Sequence, residues 1–165
     1  MSRYCVVVAE GSRARFFTVE SPEVPELESG PDLVERKRIA NPEHQSHSQD
    51  LLADARSGRN RARGGAAHGY DDHREGFDAE CERRFAREIV REIDTLTRSN
   101  GTRQVVLCAE KRMLGFLRPG LGQAIPGGVD LKEIPKDLAK LSARQLHHHL
   151  ARQGHLPARR DRPAN

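Results

Sequence analysis

Phe77, Cys81, Phe85, Ile89 and Ile93 recur at every fourth position, and Ala86, Val90 and Leu96 widen the row. Spacing of three and four marks a helix with one apolar face. It predicts a long helix from Phe77 that stops at Asn100-Gly101, a sequence suited to a C-terminal cap. Asp78, Glu80 and Glu82 lie toward its start and Arg98 toward its end, as the helix dipole favours. A stripe of about six turns needs a broad apolar surface to cover it, and short strands elsewhere in the chain supply one.

Those strands are legible by composition. Tyr4 to Ala9 (YCVVVA) is a continuous β-branched run, Glu10-Gly11-Ser12 signals a turn, and Arg15 to Val19 (RFFTV) resumes strand character. Together they predict an N-terminal hairpin. Leu33 to Ile39 (LVERKRI) predicts a third strand, placed at a sheet edge by its dense charge. Arg103 to Ala109 (RQVVLCA) has the unbroken apolar run of a buried strand. Glu110 to Leu117 predicts a helix broken at Pro119-Gly120, and Val129 to Ile134 a last strand ended by Pro135. Ser142 is placed to cap a helix over Ala143 to Gln153.

The order β-β-β-α-β-α-β-α predicts one α/β domain: a meander of three strands, then two strands joined by a crossover helix. Such a crossover pair is parallel and right-handed, so the sheet is mixed and five-stranded with helices on its faces. The domain is expected over residues 1–153, with a long Arg/Gly loop over 42–76. Residues 154–165 (GHLPARRDRPAN) hold almost no apolar side chains and predict a disordered basic tail.

Hydrophobic residues make up 36% of the 165 and aromatics 4%, with no Trp. The core must therefore be small and aliphatic. The formal charge of +4 combines both signs in abundance, which describes a charged surface with a mild cationic bias. Cys5, Cys81 and Cys108 are odd in number and form no CxxC, which argues for a reducing compartment and no disulfide framework. No segment reaches membrane-spanning length, and the apolar run after Met1 is too short for a signal peptide. A cytoplasmic protein without membrane contact is the expectation. Oligomeric state is not readable: the edge strand offers a pairing surface, but its charges oppose it.

Between the third strand and the long helix, Gln49 to Phe77 reads QDLLADARSGRNRARGGAAHGYDDHREGF. It has neither helical nor strand periodicity. Loops of this length within compact domains are uncommon and are usually functional or disordered. Gly64 and Gly65 give backbone freedom. Arg56, Arg59, Arg61, Arg63 and Arg74 present planar forks matched to phosphate. Contacts of that kind give affinity without base readout. These residues are the expected nucleic-acid-binding set, and the alternative is a merely solvated loop.

Several segments together resemble the bacterial host-attachment protein family, named as required for attachment to host cells. They are VVVAEGSRARFF near the start, the NPE of Asn41 to Glu43, DLLADARSGR from Asp50 to Arg59 and GGAAHG from Gly64 to Gly69. FAREI from Phe85 to Ile89, VVLCAEKRMLGFLR from Val105 to Arg118 and KDLAKLSARQLHHHL from Lys136 to Leu150 continue the series. That family is similar to the middle domain of archaeal and eukaryotic class I release factors and of Pelota, which is distantly ribonuclease H-like. The resemblance implies a release-factor-like fold in which a flexible loop bearing Gly-Gly-Gln precedes a long helix. Here Gly64, Gly65 and Ala66 stand at that position, and the glutamine used in peptidyl-tRNA hydrolysis is replaced. A backbone N–H at residue 66 would survive the change and is a possible oxyanion donor, but the codon-reading and GTPase-binding domains are absent from this sequence. The expectation is a non-enzymatic module, associated with RNA or the ribosome, with no cofactor and no catalytic residue.

Two other functions stay open. One is the role in host attachment, exerted through protein partners. The other is a metal-dependent nuclease or hydrolase. His44, His47, His68, Asp72 and His73 carry suitable ligand atoms, but their spacing fits no standard zinc motif, and no metal is expected. His147, His148 and His149 lie on a helix of apolar period and read as a polar face, one ring packed against leucine. Cys108 and Glu110, at the carboxyl end of a central strand, occupy a place where open α/β sheets bind ligands. Cys108 reads first as a buried structural thiol. The five phenylalanines read mostly as core.

Overall fold

A computed structural model describes residues 2–44, 67–162 and 164, with 67–75 described by their helical backbone alone. Among these, five strands and three long helices alternate: β1 (Tyr4–Ala9), β2 (Arg13–Glu20), β3 (Asp32–Ala40), α1 (Ala67–Asn100), β4 (Gln104–Ala109), α2 (Lys111–Ala124), β5 (Asp130–Ile134) and α3 (Ala143–Arg152). They form one α/β domain around an open sheet in the order β3-β2-β1-β4-β5. β1, β2 and β3 make an antiparallel meander. β4 runs parallel to β1 and β5 parallel to β4. The expected mixed five-stranded sheet is the one observed, with β3 at an edge.

Both faces of the sheet are covered. Val7, Phe16, Val105 and Leu107 meet Phe85, Ile89 and Ile93 of α1 and Leu114 and Leu117 of α2. On the opposite face Val6, Val8, Phe17, Val106 and Cys108 meet Leu146 and Leu150 of α3. Strand alternation divides the apolar residues between the two layers. Ser142 caps α3 in a full capping box with Gln145, satisfying two backbone donors at once.

Three expectations are corrected. α1 begins at Ala67 rather than Phe77, so 67–76 belong to the helix and not to the loop. Extending an existing helix fixes one residue per new hydrogen bond, whereas starting one is costly. The buried stripe from Cys81 onward supplies that start, and no proline interrupts 67–76. α2 likewise runs through Pro119 to Ala124. The proline deletes the hydrogen bond to the Gly115 carbonyl. Gly115 is exposed and has no side chain, so water reaches that carbonyl, while buried Leu117, Leu121 and Ala124 hold the helix on the core.

The third correction concerns the C-terminus. Residues expected to form a disordered tail fold back along β3. Leu156 is buried in the α3 layer. The Nε2 of buried His147 donates to the Pro157 carbonyl at 2.8 Å. Arg160 and Gly30 exchange two backbone hydrogen bonds at 2.9 and 2.8 Å, and Arg159 donates to Asp32 at 2.7 Å. Composition counts apolar residues; it does not show that one leucine and a backbone bridge suffice to dock a strap.

Arg15 on β2 is the most buried cation of the described residues, at 6% exposure. Its guanidinium donates to the carbonyls of Ala139 (2.9 Å) and Leu141 (2.6 Å), to both carboxylate oxygens of Glu35, and lies over the Phe17 ring. It thereby ties the β5–α3 connection to the sheet. Hydrogen bonds from Arg38 and then Arg15 outweigh partial burial and hold the Glu35 carboxyl down at about 2. A carboxyl lowered in the folded state stabilises the fold above its ordinary value of 4.5 and ceases to do so as pH falls toward 2. Thermal melts across that interval should therefore show a steeper acid-side loss in the wild type than in Glu35→Gln. Arg15→Leu should lower the unfolding free energy by about 1–3 kcal/mol at neutral pH, because it leaves the Leu141 carbonyl without its donor, while Arg38 still reaches Glu35 and Arg13 still reaches the Ala139 carbonyl; urea denaturation measures it.

Candidate functional site

β1, β3 and β4 point the same way, so their carboxyl ends share one edge of the sheet. The chain leaves β3 there through Asn41-Pro42-Glu43. Asn41 is buried; its backbone N–H donates to Ser12 O at 2.8 Å and its Nδ2 to Gly11 O at 3.0 Å. The NPE motif thus fixes the exit from β3 onto the β1–β2 turn. Glu43 then accepts from Arg84 of α1 at 2.7 Å. A hydrogen bond from the Cys81 thiol, and then that from Arg84, holds the Glu43 carboxyl below its ordinary value. Burial first, and the Glu43 carboxylate second, pushes Cys81 up to about 11.

The other thiols are equally unsuited to attack at neutral pH. Burial pushes Cys108 up to about 12, and burial with the nearby Glu92 charge does the same for Cys5. All three cysteines are free and buried. A thiol in that state is a small hydrophobe, not a nucleophile.

Arg56, Arg59, Arg61, Arg63, Gly64 and Gly65 lie outside the described residues, as does His47. Arg74, His68, Asp72 and His73 fall within the N-terminal part of α1. His44 sits beside the β1–β2 turn: a Cβ on Gly11 would meet its ring at 3.5 Å and the Glu82 carboxyl at 3.8 Å. Among the described residues no group of three or more His, Cys, Asp or Glu side chains is arranged to hold a metal ion. No described helix is long and apolar enough to cross a membrane.

α1 is 34 residues long, about 51 Å at 1.5 Å per residue. β1 has six residues, about 20 Å. α1 runs against the strands it follows and precedes, so its start lies at the carboxyl edge. The first buried residue of its stripe is Cys81, and Phe77 is 51% exposed. Ala67 to Glu80 therefore extends about 20 Å past the sheet, and the Arg/Gly segment connects β3 to the far end of that extension.

The solvent side of α1 carries a feature that the sequence reading passed over. Arg83, Arg87 and Arg91 line a groove of about 710 Å³ between α1 and α2, opposite Phe116, Gly120 and Gln123. Close approach makes its floor: a Cβ on Gly120 would stand 3.0 Å from Val90 Cγ1. The half-buried Phe116 ring has two guanidinium groups over it, Arg83 at 5.3 Å and Arg112 at 5.7 Å. Arg83 is 3.6 Å from Glu80, whereas Arg87 and Arg91 have no acidic partner among the described residues. Asp94, the groove's carboxylate, is engaged by Arg98. The four-residue spacing of the arginines was visible in the sequence; the wall that faces them, set by packing of α2, was not.

A second groove of about 710 Å³ lies between α3 and the C-terminal strap. There Arg159 is spent on Asp32 and Asp161, and Arg144 and Arg152 are the other arginines of the lining.

A family model described as "Protein required for attachment to host cells" matches residues 5–150. No curated protein matches the chain. The matched range includes Asn41, whose replacement by Ala should cost about 1–2 kcal/mol by leaving the Gly11 carbonyl without its partner; chemical denaturation of Asn41→Ala against wild type reads that loss directly.

Proposed function

Because the chain belongs to the family of proteins required for attachment to host cells, we propose for it a binding role rather than a reaction: a cytoplasmic module with a release-factor-like, distantly ribonuclease H-like fold, which associates with RNA or the ribosome through its Arg/Gly segment. One observation carries the reading. In the chain, the segment bearing Arg56, Arg59, Arg61, Arg63, Gly64 and Gly65 follows β3, which ends at the carboxyl edge of the sheet, and precedes α1, which begins at Ala67. Carboxyl edges are where open α/β sheets meet their ligands, and guanidinium groups on a glycine-containing backbone suit phosphate.

Ala66 in place of glutamine argues against peptidyl-tRNA hydrolysis, and the raised pKa values of the described thiols argue against a cysteine nucleophile at neutral pH. Free cysteines suit a reducing compartment. The family's description favours a second reading, in which the protein serves host attachment by binding other proteins.

Sedimentation with ribosomes and binding to a structured RNA, each across a salt series, distinguish the two. Changing Arg56, Arg59, Arg61 and Arg63 together to Ala should weaken binding at low salt by at least tenfold. It should also flatten the salt dependence by up to about 0.9 per phosphate contact on a duplex. The same affinity and salt slope in wild type and variant would remove the Arg/Gly segment as the contact, and no binding of ribosomes or RNA by wild type would remove the first reading and leave the second.

A further inference from the structure

The groove between α1 and α2 lies on the helix that carries the Arg/Gly segment, yet it is built from different residues. We infer that it receives a stretch of single-stranded RNA, with Arg87 and Arg91 on neighbouring phosphates and the Arg83–Phe116–Arg112 stack presented to a base. This rests on the proposed RNA-binding role and specifies the strand form and the groups that hold it.

Charge is the first argument. Three guanidinium groups face the groove; Arg83 is shared with Glu80, and the lining carboxylate, Asp94, is already engaged by Arg98. Arg87 and Arg91 are exposed and have no acidic partner among the described residues. Positions four apart lie one above the other on a helix, about 6 Å along its axis. The pair therefore forms a short cationic track rather than a single point charge.

Shape and stacking are the second. Gly115, Pro119 and Gly120 keep the α2 wall low next to Phe116, so a planar ring can approach it. Phe116 lies under Arg83 and Arg112, the latter held by Glu82 at 3.2 Å, and unpaired bases stack on both aromatic rings and guanidinium planes. Gln123 adds an amide able to donate to and accept from a base edge. Two helices packed about 8–10 Å apart leave a furrow narrower than a duplex. An acidic peptide would satisfy the arginines but make no use of the stack.

The test is fluorescence anisotropy of the full chain with a labelled oligouridylate, across a salt series, with an RNA hairpin and a polyglutamate peptide as competitors. Arg87→Ala with Arg91→Ala should weaken oligouridylate binding about tenfold at low salt and lower the slope of log affinity against log salt by about 1.4, from about 0.7 per phosphate on single strands. Phe116→Leu should weaken binding about fivefold or more with the slope unchanged. Circular dichroism and thermal melts verify that each variant is folded; both arginines are exposed, and leucine keeps the Phe116 site apolar.

Unchanged affinity and slope in the double arginine variant would overturn the inference. So would polyglutamate or the hairpin competing as well as unlabelled oligouridylate. If the Arg56, Arg59, Arg61 and Arg63 variant loses binding while Arg87→Ala with Arg91→Ala keeps it, the groove assignment fails and the RNA-binding role stands. The converse supports the groove and removes the Arg/Gly segment as the contact. No binding of any RNA by wild type overturns both.

Discussion

β1 and β4 lie side by side in parallel, and from Cys5 to Ala9 and from Val105 to Ala109 every side chain is fully buried. Two strands that leave nothing in water on either face require a cover on both. α1 and α2 form one cover and α3 with the C-terminal strap the other. That requirement also fixes the placement of the remaining strands. β2 and β3 extend the sheet on one side as an antiparallel meander, and β5 ends it on the other. Where a cover must bring a polar backbone against the sheet, at Ala139 and Leu141, the buried Arg15 meets the carbonyls.

The strands were legible because their composition and their burial express the same fact. The apolar run VVLCA has no polar residue to leave outside, so it reads as a buried strand and is one. The charge of LVERKRI placed it at an edge for the complementary reason, and in the structure Arg36, Lys37 and Arg38 are engaged with Glu20, Glu92 and Glu35. Ser142 announced the start of α3 through a purely local device, which Gln145 completes in the structure.

What escaped the sequence reading depends on contacts between distant residues. The early start of α1 depends on a nucleus more than ten residues downstream. Passage of α2 through Pro119 depends on an exposed glycine one turn before and a core one turn after. Docking of the strap depends on Gly30, Ser29 and Asp32, which are more than a hundred residues away in the chain. The groove is the same kind of case: Arg83, Arg87 and Arg91 stand four apart in the sequence, but a groove exists only where Phe116 and Gln123 stand across from them. Of the Arg/Gly segment, its composition was readable, and the structure adds the two points at which it is anchored.

The overshoot of α1 works as a ruler. From Ala67, where the Arg/Gly segment joins the helix, to Arg87 in the groove is twenty residues, about 30 Å along the helix axis. Only an elongated partner touches both ends of that interval at once, while a compact one engages either end alone. On the proposed RNA-binding role, the two contacts together would favour a partner long enough to span that interval, and lengthening or shortening the helix by whole turns would change the span.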